Sequence, residues 1–170
     1  MTSSTPRATR LAAAGVFAAV LAGYVLTLAP TVTFWDAGEF IAAARILGIP
    51  HPPGTPLFVL LANVWGNLVR VGEFAYRTNL LAAVCSAGGA AFFFLLVLRT
   101  LPAADPVLRF GGATASALLS AFAFTVWQNS NETEVYSVAT FTIALTCWLC
   151  LRWREARGTE RSLRLILLIV

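Results

Sequence analysis

Four stretches of this chain, residues 11–30, 80–98, 108–127 and 135–151, are almost unbrokenly apolar. Each is close to the roughly 20 residues that an α-helix needs to cross a hydrocarbon core. Hydrophobic residues make up 58% of the chain and charged ones 12%, far from the apolar half and charged quarter of a soluble domain. Backbone polar groups inside lipid must be paired within the protein, so we expect an all-α, polytopic transmembrane helical bundle. A fifth run opens at residue 163 and reaches the last residue, 170, after about half a span. We therefore read residues 1–170 as the N-terminal part of a longer single membrane domain, with residues 163–170 starting a fifth span. The first run follows Arg7 and Arg10 like a signal peptide. It is longer than a usual signal core, and Pro30 follows the one small-residue cleavage position, so an uncleaved anchor is expected.

The ambiguous stretch is 56–71. Its 16 residues reach only about 24 Å as a helix, and Asn63, Gly66, Asn67 and Arg70 form one polar stripe opposite Leu57, Leu60, Leu61, Val64 and Leu68. That pattern predicts a helix lying in the interface. Arginine placement agrees. All 12 basic residues are Arg; if this helix lies flat, nine of them are cytoplasmic, and if it crosses, four are. The expected topology thus has a cytoplasmic N-terminus and a non-cytoplasmic loop at 31–79, with interfacial helices at 34–47 and 56–71. Because the arginines flank apolar runs, the formal charge of +4 reports topology, and no nucleic-acid partner is expected. Small residues at four-residue spacing, Gly112, Ser116 and Ser120 and likewise Ala83, Ala87 and Ala91, predict close helix packing. Cys85, Cys147 and Cys150 fall inside apolar runs, where we expect buried reduced thiols.

Three polar clusters flank the spans. In Phe34-Trp35-Asp36-Ala37-Gly38-Glu39-Phe40 the two acids lie one helical turn apart. They suit a helix start, where acids complement the dipole. They equally suit a general base with a supporting acid, because aromatic neighbours at a membrane surface would strip water and raise proton affinity. His51, the one histidine, sits among four prolines in residues 50–56, which stiffen its backbone. The third cluster, Asn129 to Tyr136 with Glu132 and Glu134, either caps the following helix through Asn131 or adds a second acidic element on the same membrane face. Asn131-Glu132-Thr133 also matches a glycosylation acceptor. Arg77, at the entry of the second long run, is a cation suited to a phosphate.

The segments Phe34 to Ile41, His51 to Phe58 and Asn131 to Tyr136, taken in order, resemble a family of bacterial multispanning membrane proteins formerly of unknown function, related to a vertebrate transmembrane O-mannosyltransferase. More distantly they are similar to protein O-mannosyltransferases of the C-type glycosyltransferase (GT-C) fold. The resemblance implies a transferase in a bacterial inner membrane. It would take a sugar, mannose in the named relatives, from a polyprenyl-phosphate donor to a hydroxyl acceptor such as a protein Ser or Thr on the non-cytoplasmic face. It implies Asp36 as base, Glu39 as its neighbour, His51 as loop organiser or acceptor contact, and Glu132 or Glu134 as a second acidic element, with Arg77 and Tyr136 on the substrate side. The polyprenyl-phosphate sugar enters as donor substrate, and the resemblance identifies no cofactor. Carboxylates are able to hold a divalent metal, but no His and Cys ligand set marks one, and metal use stays open. A transporter or channel-like protein, binding a solute or lipid through the same acids, is the rival class. Its proton relay would need ionisable groups at membrane depth, and the apolar runs contain almost none.

Overall fold

The computed structural model describes residues 6–102 and 105–169. Among these described residues eight helices follow one another: α1 (Pro6–Thr27), α2 (Ala37–Ile46), α3 (Pro56–Leu68), α4 (Phe74–Thr100), α5 (Pro106–Ala121), α6 (Phe124–Ser130), α7 (Val135–Glu155) and α8 (Glu160–Ile169). Among the described residues there is no strand. The protein is an all-helical membrane bundle. Helices α1, α4 and α7 are each long and apolar enough to cross a membrane, and α5 with α6 makes a fourth span if the bent pair counts as one.

Helix α4 is the axis. It packs against α1, α5 and α7, with Val20 and Tyr24 of α1, Ala83, Ala87 and Phe94 of α4, and Ala113 and Ala117 of α5 buried together. Gly88 lets α7 come close, since a Cβ there would stand 2.8 Å from the Phe141 ring. On α5 the buried stripe is Ala113, Ala117 and Ala121, one position on from the Gly112, Ser116 and Ser120 row expected from the sequence. Both rows are small, and the partners α1 and α4 select the one without hydroxyls. The Cys147–Cys150 pair also departs from expectation: both thiols are free but exposed on α7, while Cys85 is half-buried.

The run 108–127 is not one straight helix. It breaks between Ala121 and Phe124 with a bend of 66°. No proline or glycine marks the break; tertiary partners make it tolerable. The Tyr24 hydroxyl donates to the Ala121 carbonyl at 2.7 Å, and the Phe122 ring occupies the space above Gly23, where a Cβ would lie 2.7 Å from it. The start of α4 at Phe74 lies six residues before the apolar run, where Arg77 secures the preceding turn; Glu73 holds the N-cap position without a side-chain capping bond.

The two ends of the bundle differ in chemistry. Arg99 at the end of α4 and Arg152 near the end of α7 both pair with Glu155, at 3.3 and 3.1 Å. At the other end lie the starts of α4 and α7 and the segments that lead into α2 and α3.

Candidate functional site

The short helices α2 and α3 form a hairpin over the start of α4. The Asn63 amide donates to the Ala44 carbonyl at 2.7 Å, Arg45 donates to Asn67 at 3.2 Å, and Phe74 packs where Gly66 has no side chain. Asn63 and Gly66 of the polar stripe therefore face the protein, whereas Asn67 and Arg70 are exposed, as are Leu57, Leu60, Leu61, Val64 and Leu68. A 13-residue helix spans about 20 Å, short of the hydrocarbon thickness.

Asp36 occupies the N-cap position of α2 and Glu134 that of α7, yet neither side chain makes a capping hydrogen bond. Asp105 shows the contrast: it caps α5 through Oδ1, which accepts from Val107 N–H at 2.6 Å and Leu108 N–H at 3.3 Å. The capping role considered for Asn131 also fails, because α7 begins at Val135 and the Asn131 amide donates to the Trp127 carbonyl instead. The acids are thus left free of the helix-start duty that the sequence permits.

His51 comes to α2 through a tight turn, closed by Gly54 N–H donating to the His51 carbonyl at 2.9 Å. Gly54 has φ +81°, a region that glycine enters without a Cβ penalty. The main-chain N–H of His51 donates to Glu39 Oε1 at 2.7 Å, and its Nδ1 lies 2.8 Å from Oε2. A carboxylate only accepts, so Nδ1 carries the hydrogen. That leaves Nε2 facing Asp36 Oδ2 at 3.9 Å. The Phe40 ring backs the imidazole at 5.4 Å between centroids. Phe34 and Trp35, each 88% exposed, point away and do not strip water from the acids.

The electrostatics invert part of the sequence expectation. Glu39, expected to gain proton affinity, is held below the usual carboxylate range, first by the hydrogen bond from the His51 ring and then by that from its main chain. His51 is correspondingly raised, first by the Glu39 hydrogen bond, with Asp36 and Glu134 adding to it. The acid that is raised is Glu134, to about 7, by burial first and then by the charges of Glu132 and Asp36. It is only 8% exposed.

A buried polar knot brings Glu134 to this place. The Asn79 amide donates to the carbonyls of Ala29 and Thr31 at 2.9 and 3.0 Å, and its oxygen lies 2.6 Å from the Thr133 hydroxyl, which is also 2.8 Å from that of Thr78. One residue cluster therefore ties the segment leading to Asp36, the start of α4 and the turn carrying Glu134. Nothing in the pattern around Asn79 announced this. Thr133 is fully buried within the knot.

Arg77 and Tyr136 stand apart from the His51 group. The Arg77 guanidinium donates to the carbonyls of Gly66, Val71 and Gly72, which clamps the α3–α4 turn. Tyr136, 62% exposed, borders a cleft of about 460 Å³ between α6 and α7, with Ser86, Thr125, Asn129 and Ser137 in its walls. Asp36, Glu39 and His51 bring their polar atoms within 4.8 Å of one another. The two hydrogen bonds from His51 to Glu39 account for that closeness, and no residue is assigned as a metal ligand.

Residues 36–170 match the family model described as the protein O-mannosyl-transferase TMEM260 N-terminal domain. The chain belongs to this family. The match begins at Asp36 itself, so the TMEM260 N-terminal domain includes every polar group described above from Asp36 onward. A mouse (Mus musculus) protein O-mannosyl-transferase TMEM260 is 39% identical over 148 residues, covering 86% of this chain and 20% of the relative. A protein O-mannosyl-transferase tmem260 from Dictyostelium discoideum is 26% identical over 145 residues, covering 82% of this chain and 16% of the relative. The chain spans about a fifth or less of the length of these relatives. No solved structure matches it.

Proposed function

We propose that this chain carries the acceptor-side acids of a membrane glycosyltransferase of the GT-C kind, moving mannose from a polyprenyl-phosphate carrier to a protein Ser or Thr on the non-cytoplasmic face. The observation that carries the reading is the uncapped Asp36 carboxylate, half-exposed at the mouth of the bundle with Glu39, His51 and Glu134 around it. The relatives named as protein O-mannosyl-transferases support the sugar and the acceptor class. A site at the rim of the membrane suits a donor whose lipid tail stays in the bilayer. In this reading the N-terminus is cytoplasmic and the exposed leucines of α3 rest on the membrane surface.

The chemistry needs a base and a leaving group. The Asp36 carboxylate takes the acceptor hydroxyl's proton as the oxygen bonds to the sugar's anomeric carbon. The bond from that carbon to the phosphate oxygen breaks, its electron pair leaves with the phosphate, and the configuration inverts. Glu132 and Glu134 form the second acidic element, and the cleft beside Tyr136 lies on the donor side.

The test is transfer by the full-length protein in membranes from polyprenyl-phosphate mannose to a protein acceptor. Asp36→Asn removes the proton acceptor and keeps the shape, so the rate should fall about 10²- to 10⁴-fold while thermal stability holds, since no capping bond is lost. Near-normal transfer by the folded variant rejects the catalytic role.

A further inference from the structure

We propose that His51 is a positioning residue for Asp36 that works only when its ring is protonated, and that Glu39 holds it in place for that task; this rests on the transferase reading above. The geometry supplies the reason. Glu39 grips His51 twice, at the main-chain N–H and at Nδ1, so the ring has one orientation and Nε2 has one view, towards Asp36 Oδ2 at 3.9 Å.

What Nε2 presents there depends on a single proton. In the neutral ring, Nδ1–H is given to Glu39 and Nε2 offers a lone pair to a carboxylate oxygen, which is a repulsive contact. In the imidazolium, Nε2–H faces the same oxygen and the contact becomes an ion pair. Protonation therefore pins one oxygen of Asp36 and leaves the other for the acceptor hydroxyl; deprotonation releases the carboxylate to swing into water. The charged groups that face His51 are Glu39 from α2, Asp36 from the segment before it and Glu134 from the start of α7; Glu39 and Asp36 favour the imidazolium as anions, and Glu134 does so once it ionises. The Phe40 ring closes the remaining side. Arg77 stands apart with its donors on backbone carbonyls, so the cation that faces Asp36 is His51.

The experiment is the pH profile of transfer kcat/KM in the full-length membrane protein, with polyprenyl-phosphate mannose as donor. Wild type should lose activity on the basic side as His51 deprotonates. Glu39→Gln removes the anion that raises His51, so this basic limb should move to lower pH by on the order of one unit. Glu134 titrates nearby, but burial, Glu132, Asp36 and His51 set it, so a limb that follows Glu39 reports His51. His51→Gln should lower transfer about 10- to 100-fold near neutrality through misplacement of Asp36 and abolish the limb. A folded Glu39→Gln protein with the wild-type limb overturns the inference. If that variant does not fold, a folded His51→Gln protein that retains the wild-type limb overturns it instead. Absence of any transfer by wild type is a different failure, that of the transferase reading.

Discussion

Glu134 offers a prediction in which sign and size both come from the fold. Its carboxyl is raised from 4.5 to about 7, with burial as the largest cause, so the protein holds a proton there that an unfolded chain releases. Below pH 4.5 both states are protonated and the residue is neutral to stability. Between 4.5 and about 7 the unfolded state ionises first, and stability falls as pH rises; above 7 both are charged and the full cost is present. The rise from 4.5 to about 7 corresponds to about 3.5 kcal/mol at roughly 1.4 kcal/mol for each tenfold change in proton affinity. Solvent at the rim of the bundle screens part of this, so we discount it to about 1–3 kcal/mol. Glu134→Gln keeps the shape and removes the charge. The variant should match wild type near pH 4.5 and be more stable by that amount at pH 8, measured as denaturation of the full-length protein in detergent across the pH range. A stability difference that does not grow with pH would refute the burial argument, and a variant less stable than wild type at pH 8 would reverse it.

Two further outcomes follow from the polar knot and the topology. Asn79→Ala removes the donor to the carbonyls of Ala29 and Thr31 and leaves the Thr133 hydroxyl with Thr78 alone, and should cost about 2–4 kcal/mol in the same denaturation assay; a loss under roughly 0.5 kcal/mol would show that water replaces the side chain. A cysteine placed at Thr55, in the turn between His51 and α3, should react with an impermeant thiol reagent only from the non-cytoplasmic side, and labelling only from the cytoplasm would sink the orientation and the site together.

The membrane class and the helical bundle were legible in the sequence because apolar run length is set by bilayer thickness and needs no partner to be read. The acids of the candidate site stood out too, as polar residues crowded at the ends of apolar runs. Their roles did not. Whether an acid at a helix start caps its helix depends on side-chain direction and local backbone, which is why Asp105 caps and Asp36 and Glu134, at equivalent positions, do not. The polar stripe of α3 was visible as a stripe, but only the packing of Asn63 against α2 and of Gly66 against Phe74 decided that this part of it faces protein rather than water. The break after Ala121 carries no proline or glycine and exists because Tyr24 and Gly23, about a hundred residues earlier, supply a hydroxyl and a space. His51 reaches Glu39 across 12 residues, and Glu134 reaches the same charges from the far end of α6. Periodicity and composition report what a segment buries; which charges share a site is settled by chain closure, because Coulomb and hydrogen-bond terms act through space over a few ångströms, regardless of separation along the chain.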